Sequence, residues 1–116
     1  MFVSNTKNLA KMEMKGPGII GATKQVLIGP KEGWEGYVMR LMTLDIKGNT
    51  PKHSHPWPHI NYVVKGKGTL FMDGKEYNVE EGAVSFVPDN IEHQYINSSD
   101  DEVFVFICIV PEEGDK

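Results

Sequence analysis

All four histidines of the chain lie between positions 53 and 93, and three of them fall within His53-Ser54-His55-Pro56-Trp57-Pro58-His59. Imidazole is a common ligand for divalent transition metals, so a cluster of this kind points to metal chemistry. Residues two apart in an extended chain project to one face, so His53 and His55 can aim two rings at one point. His59 has the same parity, but Pro56 and Pro58 intervene. Each proline removes a backbone donor and fixes φ, which predicts a stiff loop or bulge in place of a central strand. His93 follows Val84-Ser85-Phe86-Val87 and the turn Pro88-Asp89-Asn90, a placement from which it can close the site across a barrel. A lone histidine is more often a surface or hydrogen-bonded residue, and four can make a plain surface cluster. The HxHxxxH spacing favours the ligand role.

Elements that must position these rings are legible in the turn signals. Glycine (12) and proline (7) recur at short intervals, separating runs rich in Val, Ile, Phe, Tyr and Thr. Strands are expected at about 24–28, 36–46, 60–65, 68–72, 75–79, 83–87, 93–97 and 103–110. Asp73-Gly74 predicts a type I′ hairpin, with further reversals at Lys65–Gly68 and Asn97–Asp101. No dozen-residue stretch has a clean helical period, and Asn5 to Lys15 supports a helical turn at most. Short antiparallel strands around one core imply an all-β sandwich, jelly roll or small barrel.

Composition narrows the function. With 116 residues and 13.0 kDa the chain has the size of one domain. Twelve basic against sixteen acidic residues give a net charge of -4, and the lysines are scattered, so no nucleic-acid partner is expected. The longest apolar run, Val103 to Val110, is too short to span a bilayer, and the start MFVSNTKNLAK lacks a secretory core. A cytoplasmic location with no membrane partner is the expectation. One cysteine, Cys108, excludes an internal disulfide and any site built from cysteine pairs.

The stretch Gly48-x4-His53-x-His55-x3-His59-x6-Gly66 resembles the first motif of the cupin superfamily, G(x)5HxH(x)3-4E(x)6G. Gly82-x5-Pro88-x-Asn90-x2-His93-x3-Asn97 resembles the second, G(x)5PxG(x)2H(x)3N. The chain departs in a spacer one residue shorter after Gly48, in His59 where glutamate is usual, and in Asn90 where glycine is usual. Asparagine also tolerates positive φ, so the last change is mild. The resemblance implies an antiparallel double-stranded β-helix (jelly-roll) barrel over about 23–110, an N-terminal arm over about 1–22 and a short acidic tail. It also implies one divalent metal held by His53, His55, His59 and His93. Four neutral imidazoles leave the ion its full positive charge, which favours a small anionic or oxygenated, chelating ligand. Nitrogen ligands disfavour Mg and Ca, leaving Mn, Fe, Co, Ni, Cu and Zn.

HSHPWPH is similar to the HSHPWxH loop of a subgroup of single-domain, four-histidine cupins with manganese or iron. That likeness implies a dioxygenase-type oxidoreductase, and makes Mn or Fe the expected metal. In a six-coordinate ion four histidines leave two positions for ligand, whereas tetrahedral Zn would be closed. A non-redox isomerase or decarboxylase, or a small-ligand sensor, fits the fold as well. The lack of an evident general base argues mildly against the isomerase. The family resemblance further implies a homodimer, with the polar start before Gly16-Pro17-Gly18 as an exchangeable arm.

Weaker site candidates follow from parity. Phe104, Phe106 and Cys108 share one face of the last strand, and in the subgroup the equivalents of Phe106 and Cys108 point to the metal pocket. A lone cysteine is more commonly a small buried hydrophobe. Tyr95 and Asn97 share parity with His93, and Asn61 and Val63 with His59, which suits either cavity lining or packing and turn caps. Arg40, the only arginine, lies mid-strand, where it suits either holding a substrate carboxylate or pairing with a structural acid, and the structural role is the expectation. Trp34 and Trp57 read as packing residues, with Trp57 a candidate cavity rim. Glu112-Glu113-Gly114-Asp115 reads as a solvated chain end.

Overall fold

A computed structural model describes residues 1–115. The strands are β1 (Met12–Glu13), β2 (Ile20–Ile28), β3 (Tyr37–Asn49), β4 (His59–Lys65), β5 (Lys67–Met72), β6 (Lys75–Glu80), β7 (Val84–Val87), β8 (His93–Ile96) and β9 (Phe104–Pro111). Three short 3₁₀ turns, Thr6–Asn8, Pro30–Glu32 and Glu112–Asp115, complete the described residues. The strands form one curled antiparallel sheet in the order β6-β5-β8-β3-β9-β4-β7, with β2 also paired to β3 and β1 to β2. This is the expected all-β jelly-roll barrel.

Turn chemistry works as the residues dictate. Asp73 and Gly74 both have positive φ, at 51° and 80°, joining β5 to β6 with Met72 opposite Lys75. Gly66, with φ at 81°, carries the chain from β4 to β5 against the Val103 carbonyl, where any Cβ would collide with backbone. Asn90 takes φ of 63°, so it does the conformational work of the glycine usual at that position.

Two boundaries differ from expectation. β2 begins at Ile20, about four residues earlier than its β-branched run suggests, because β3 extends to Asn49 and supplies Ile20 with a partner. The segment before it also folds back on its own chain. Met12–Glu13 pairs with Thr23–Lys24, and the Gln25 side chain donates to the carbonyls of Thr6 and Leu9 at 2.7 and 3.1 Å.

Alternation explains the interior. On β9 Phe104, Phe106, Cys108 and Val110 point inward, and they pack with Val38, Met42, Leu44, Val63, Leu70 and Tyr95. The opposite face of β4 and β7 leaves Ile60, Tyr62, Val84 and Phe86 exposed. Across the inner face, cross-strand register sets Arg40 (β3) opposite Cys108 (β9), Cys108 opposite Asn61 (β4), and Asn61 opposite Ser85 (β7). Of that row, Arg40, Cys108 and Asn61 line the cavity beside the histidines.

Candidate metal centre

The proline-bearing stretch 50–58 is a loop whose one ladder contact is the His53–His93 bridge. In that bridge each backbone N–H donates to the other residue's carbonyl, at 3.1 and 2.9 Å, so loop and strand are fixed face to face. The Asn90 N–H adds a 2.7 Å bond to the His55 carbonyl. His59 opens β4 and His93 opens β8, both buried, whereas His53 is exposed and His55 intermediate. Local stiffness from two prolines and register from two strands thus bring all four rings together. Ring centroids stand 4.8 Å apart for the pairs 53–93, 55–93 and 59–93, and 5.0 and 5.5 Å apart for 53–55 and 55–59.

His53, His55 and His93 each offer a ligand nitrogen within 4.8 Å of the other two, a group that can hold a metal ion. His59 adjoins them, with its Nε2 3.1 Å from Nε2 of His93. The outer nitrogens settle the tautomers. Nδ1–H of His55 donates to the Trp57 carbonyl at 2.8 Å, that of His59 to Asn61 Oδ1 at 2.7 Å, and that of His93 to the Ile91 carbonyl at 2.8 Å. Each neutral ring therefore presents its Nε2 lone pair, and those of His59 and His93 face each other with no hydrogen between them. Such an arrangement is favourable only around a shared cation, and carbonyl partners on the outer nitrogens are the usual support for metal-binding imidazoles. The residues present fit a divalent transition metal.

Burial keeps the rings neutral. Desolvation lowers His59 to about 4 against the hydrogen bond it donates to Asn61, with the Arg40 charge adding to the shift. Desolvation and the neighbouring rings lower His93 to about 4 as well, and His53 and His55 move in the same direction. At neutral pH the group is four uncharged donors.

A cavity of about 350 Å³ opens beside the rings, lined also by Arg40, Lys24, Asn61, Tyr95, Phe106 and Cys108. That is room for a small molecule. Trp57 forms part of the lining and stacks on His55 at 4.7 Å, while Trp34 stacks on Tyr37 at 5.3 Å. Tyr95 stacks on Phe106 at 4.2 Å, and its hydroxyl, 2.8 Å from Ser85 Oγ, is pushed upward in pKa by burial and stays protonated.

Asn97 is buried but pins a turn: its Nδ2 donates to the carbonyls of Leu44, Asp45 and Glu102 at 3.2, 3.1 and 2.9 Å. Val63 belongs to the core.

The acidic tail corrects a sequence expectation. Asp115 is not a solvated end: its Oδ1 lies 3.0 Å from Lys24 Nζ and 3.5 Å from Arg40 Nη1. Two cations from β2 and β3 draw it onto the barrel. Arg40 does pair with an acid as expected, but it also lines the cavity, and its Nη2 lies 3.0 Å from Cys108 Sγ. Lys24 is not distinguished by the sequence; the signal is two inward-parity cations on adjacent strands, visible only with the register in hand.

A curled antiparallel jelly-roll sheet with a histidine-lined cavity capable of holding a metal defines the class. The Cupin domain family matches residues 40–110, more than half of the chain, and the chain belongs to it. An uncharacterized protein of Aquifex aeolicus (strain VF5) is 33% identical over 63 residues, 53% of this chain and 52% of that one. The match thus spans about half the length of that curated relative. Among solved structures, the polyketide cyclase RemF of Streptomyces resistomycificus superposes with a TM-score of 0.88 at 24% identity, over 96% of this chain and 79% of that one. A predicted oxalate decarboxylase of Thermotoga maritima does so with 0.85 at 18% identity, over 95% and 98%. At these identities the likeness establishes the fold and leaves the reaction open.

Proposed function

We propose that His53, His55, His59 and His93 hold one divalent transition metal, manganese or iron, and that the protein is a metal-dependent oxidoreductase of dioxygenase type acting on a small oxygenated anion. The observation that carries this reading is the set of Nε2 lone pairs turned inward by carbonyl partners on three of the four rings. When bound, the ion would polarise a chelating oxygenated ligand and exchange electrons with it and dioxygen. The chain's own residues position and shield. Asn61 orients His59, Trp57 both stacks on His55 and accepts its proton through its carbonyl, and Phe106 with Tyr95 forms an aromatic wall. Tyr95, kept protonated, can donate a hydrogen bond but cannot serve as a base at neutral pH.

No carboxylate lines the cavity among the described residues, which favours the oxidative reading over an isomerase that must shuttle a carbon-bound proton. A decarboxylase or a ligand sensor needs no such base and is the second reading. Elemental analysis of untreated protein, followed by oxygen uptake with enolic and catecholic compounds, tests the first. Manganese or iron at about one per chain with ligand-dependent oxygen uptake is the expected result. Zinc alone without oxygen uptake overturns it, and a ligand that stabilises the protein yet emerges unchanged favours the sensor.

A further inference from the structure

The cavity has a second wall that the metal reading leaves unused. Lys24 stands opposite Met42 and Arg40 opposite Val26, so strand register turns both cations to the inner face of β2 and β3. Their side chains are 17% and 12% exposed. Taking two like charges out of water is costly without anionic partners. The partner present is meagre. Both cations share one carboxylate oxygen, Asp115 Oδ1, and the contact to Arg40 is a long 3.5 Å.

Arg40 is the less satisfied of the two. Its five donors suit a bidentate carboxylate or phosphate. Here Nη2 meets a thiol, a weak acceptor, and Nε is buried with no partner among the described residues. Arg40 lines a cavity in which no carboxylate appears among the described lining residues, and an under-matched guanidinium in such a place suits an anion.

We propose that Arg40 and Lys24 form a carboxylate-binding wall, and that Asp115 is an intramolecular counter-ion which an incoming carboxylate displaces. This inference rests on the proposed cavity function and sharpens its ligand class: a small anion with one end for the histidines and a carboxylate for Arg40. Cross-strand register supports the span, because Arg40 and Asn61 are two strand spacings apart with Cys108 between them, roughly 10 Å. Asp115 is suited to leaving. It sits on a four-residue 3₁₀ turn that contains no buried residue, tied to the barrel by the Glu112 N–H to Gly36 carbonyl bond of 2.8 Å. Gly114 beside it lines the cavity and lies against the Trp57 indole, where a Cβ would come within 2.6 Å of Nε1. Movement of the turn is therefore felt at the ring stacked on His55.

The test is calorimetric titration of malonate, with neutral malonamide as the control, into EDTA-dialysed, metal-free protein at pH 7.5, where the imidazoles are uncharged. Malonate should bind and malonamide should not. Asp115→Asn should tighten malonate binding about tenfold by removing the competing charge, and Lys24→Gln should weaken it by a similar factor. Arg40→Gln should weaken it further; if that variant does not fold by circular dichroism, Lys24→Gln carries the same test. No measurable malonate binding, equal binding of malonamide, or an Asp115→Asn affinity equal to or weaker than wild type overturns the proposal. Because the metal is absent throughout, tightening by Asp115→Asn in a protein that never retains manganese or iron would sustain the anion wall while the metal reading fell.

Discussion

The two walls of one cavity handle charge in opposite ways. On the histidine wall burial removes charge: the rings are held neutral, and on His55, His59 and His93 the outer N–H groups are satisfied by carbonyls, with the lone pairs left facing inward. On the Lys24–Arg40 wall two cations face the interior and must be matched from elsewhere in the chain. Asp115 supplies that match from a surface turn. Neutral donors make a place for a cation, and under-matched cations make a place for an anion; a ligand bridging the two would satisfy both.

Breaking the histidine wall should have the largest effect. His93 neighbours each of the other three rings, so His93→Ala is expected to lower metal affinity by more than about a hundredfold, measured by competition against a chelating dye. Retention of wild-type affinity would place the ion elsewhere. A smaller loss, about tenfold, is expected for Asn61→Ala, which leaves all four rings but frees His59 Nδ1 to change tautomer. If Asn61→Ala binds metal as wild type does, the hydrogen bond is a packing detail and the tautomer argument fails.

The smallest effect sharpens the contrast between the walls. His59 and His93 titrate near 6.5 when unfolded and at about 4 when folded, so between these values the unfolded chain takes up protons that the folded chain refuses. Stability of the metal-free protein should be flat with respect to these groups above pH 6.5, fall as pH drops from 6.5 toward 4, and level off below. A drop in thermal midpoint across that window is expected by calorimetry. His93→Gln should flatten this slope, whereas Asp115→Asn, acting on the other wall, should leave it in place. An unchanged slope in His93→Gln would show that the ring is not a source of it.

Most of the histidine wall was legible from residue types because its parts are close in sequence. HxHxxxH lies within seven residues, the prolines announce a stiff loop, and Pro88-Asp89-Asn90 places His93 at the head of a strand. The β5–β6 hairpin was legible for the same reason, since Asp73-Gly74 carries its conformation in two residues. The cationic wall was not. Lys24 and Asp115 are 91 positions apart, and Arg40 and Cys108 are 68 apart. No local pattern distinguishes those residues from solvated charges, and the tail was misread on that account.

Residue types and spacing alone determined that this chain folds as short antiparallel strands and carries clustered imidazoles able to act as metal ligands. Strand alternation and turn preferences are local, and they survive whatever the rest of the chain does. Which lone pairs converge, which cations face inward and which carboxylate answers them were decided only by the assembled sheet. Cross-strand register is a collective outcome of packing one face of every strand into the same core, and it is register that set Arg40 beside Cys108 and Cys108 beside Asn61.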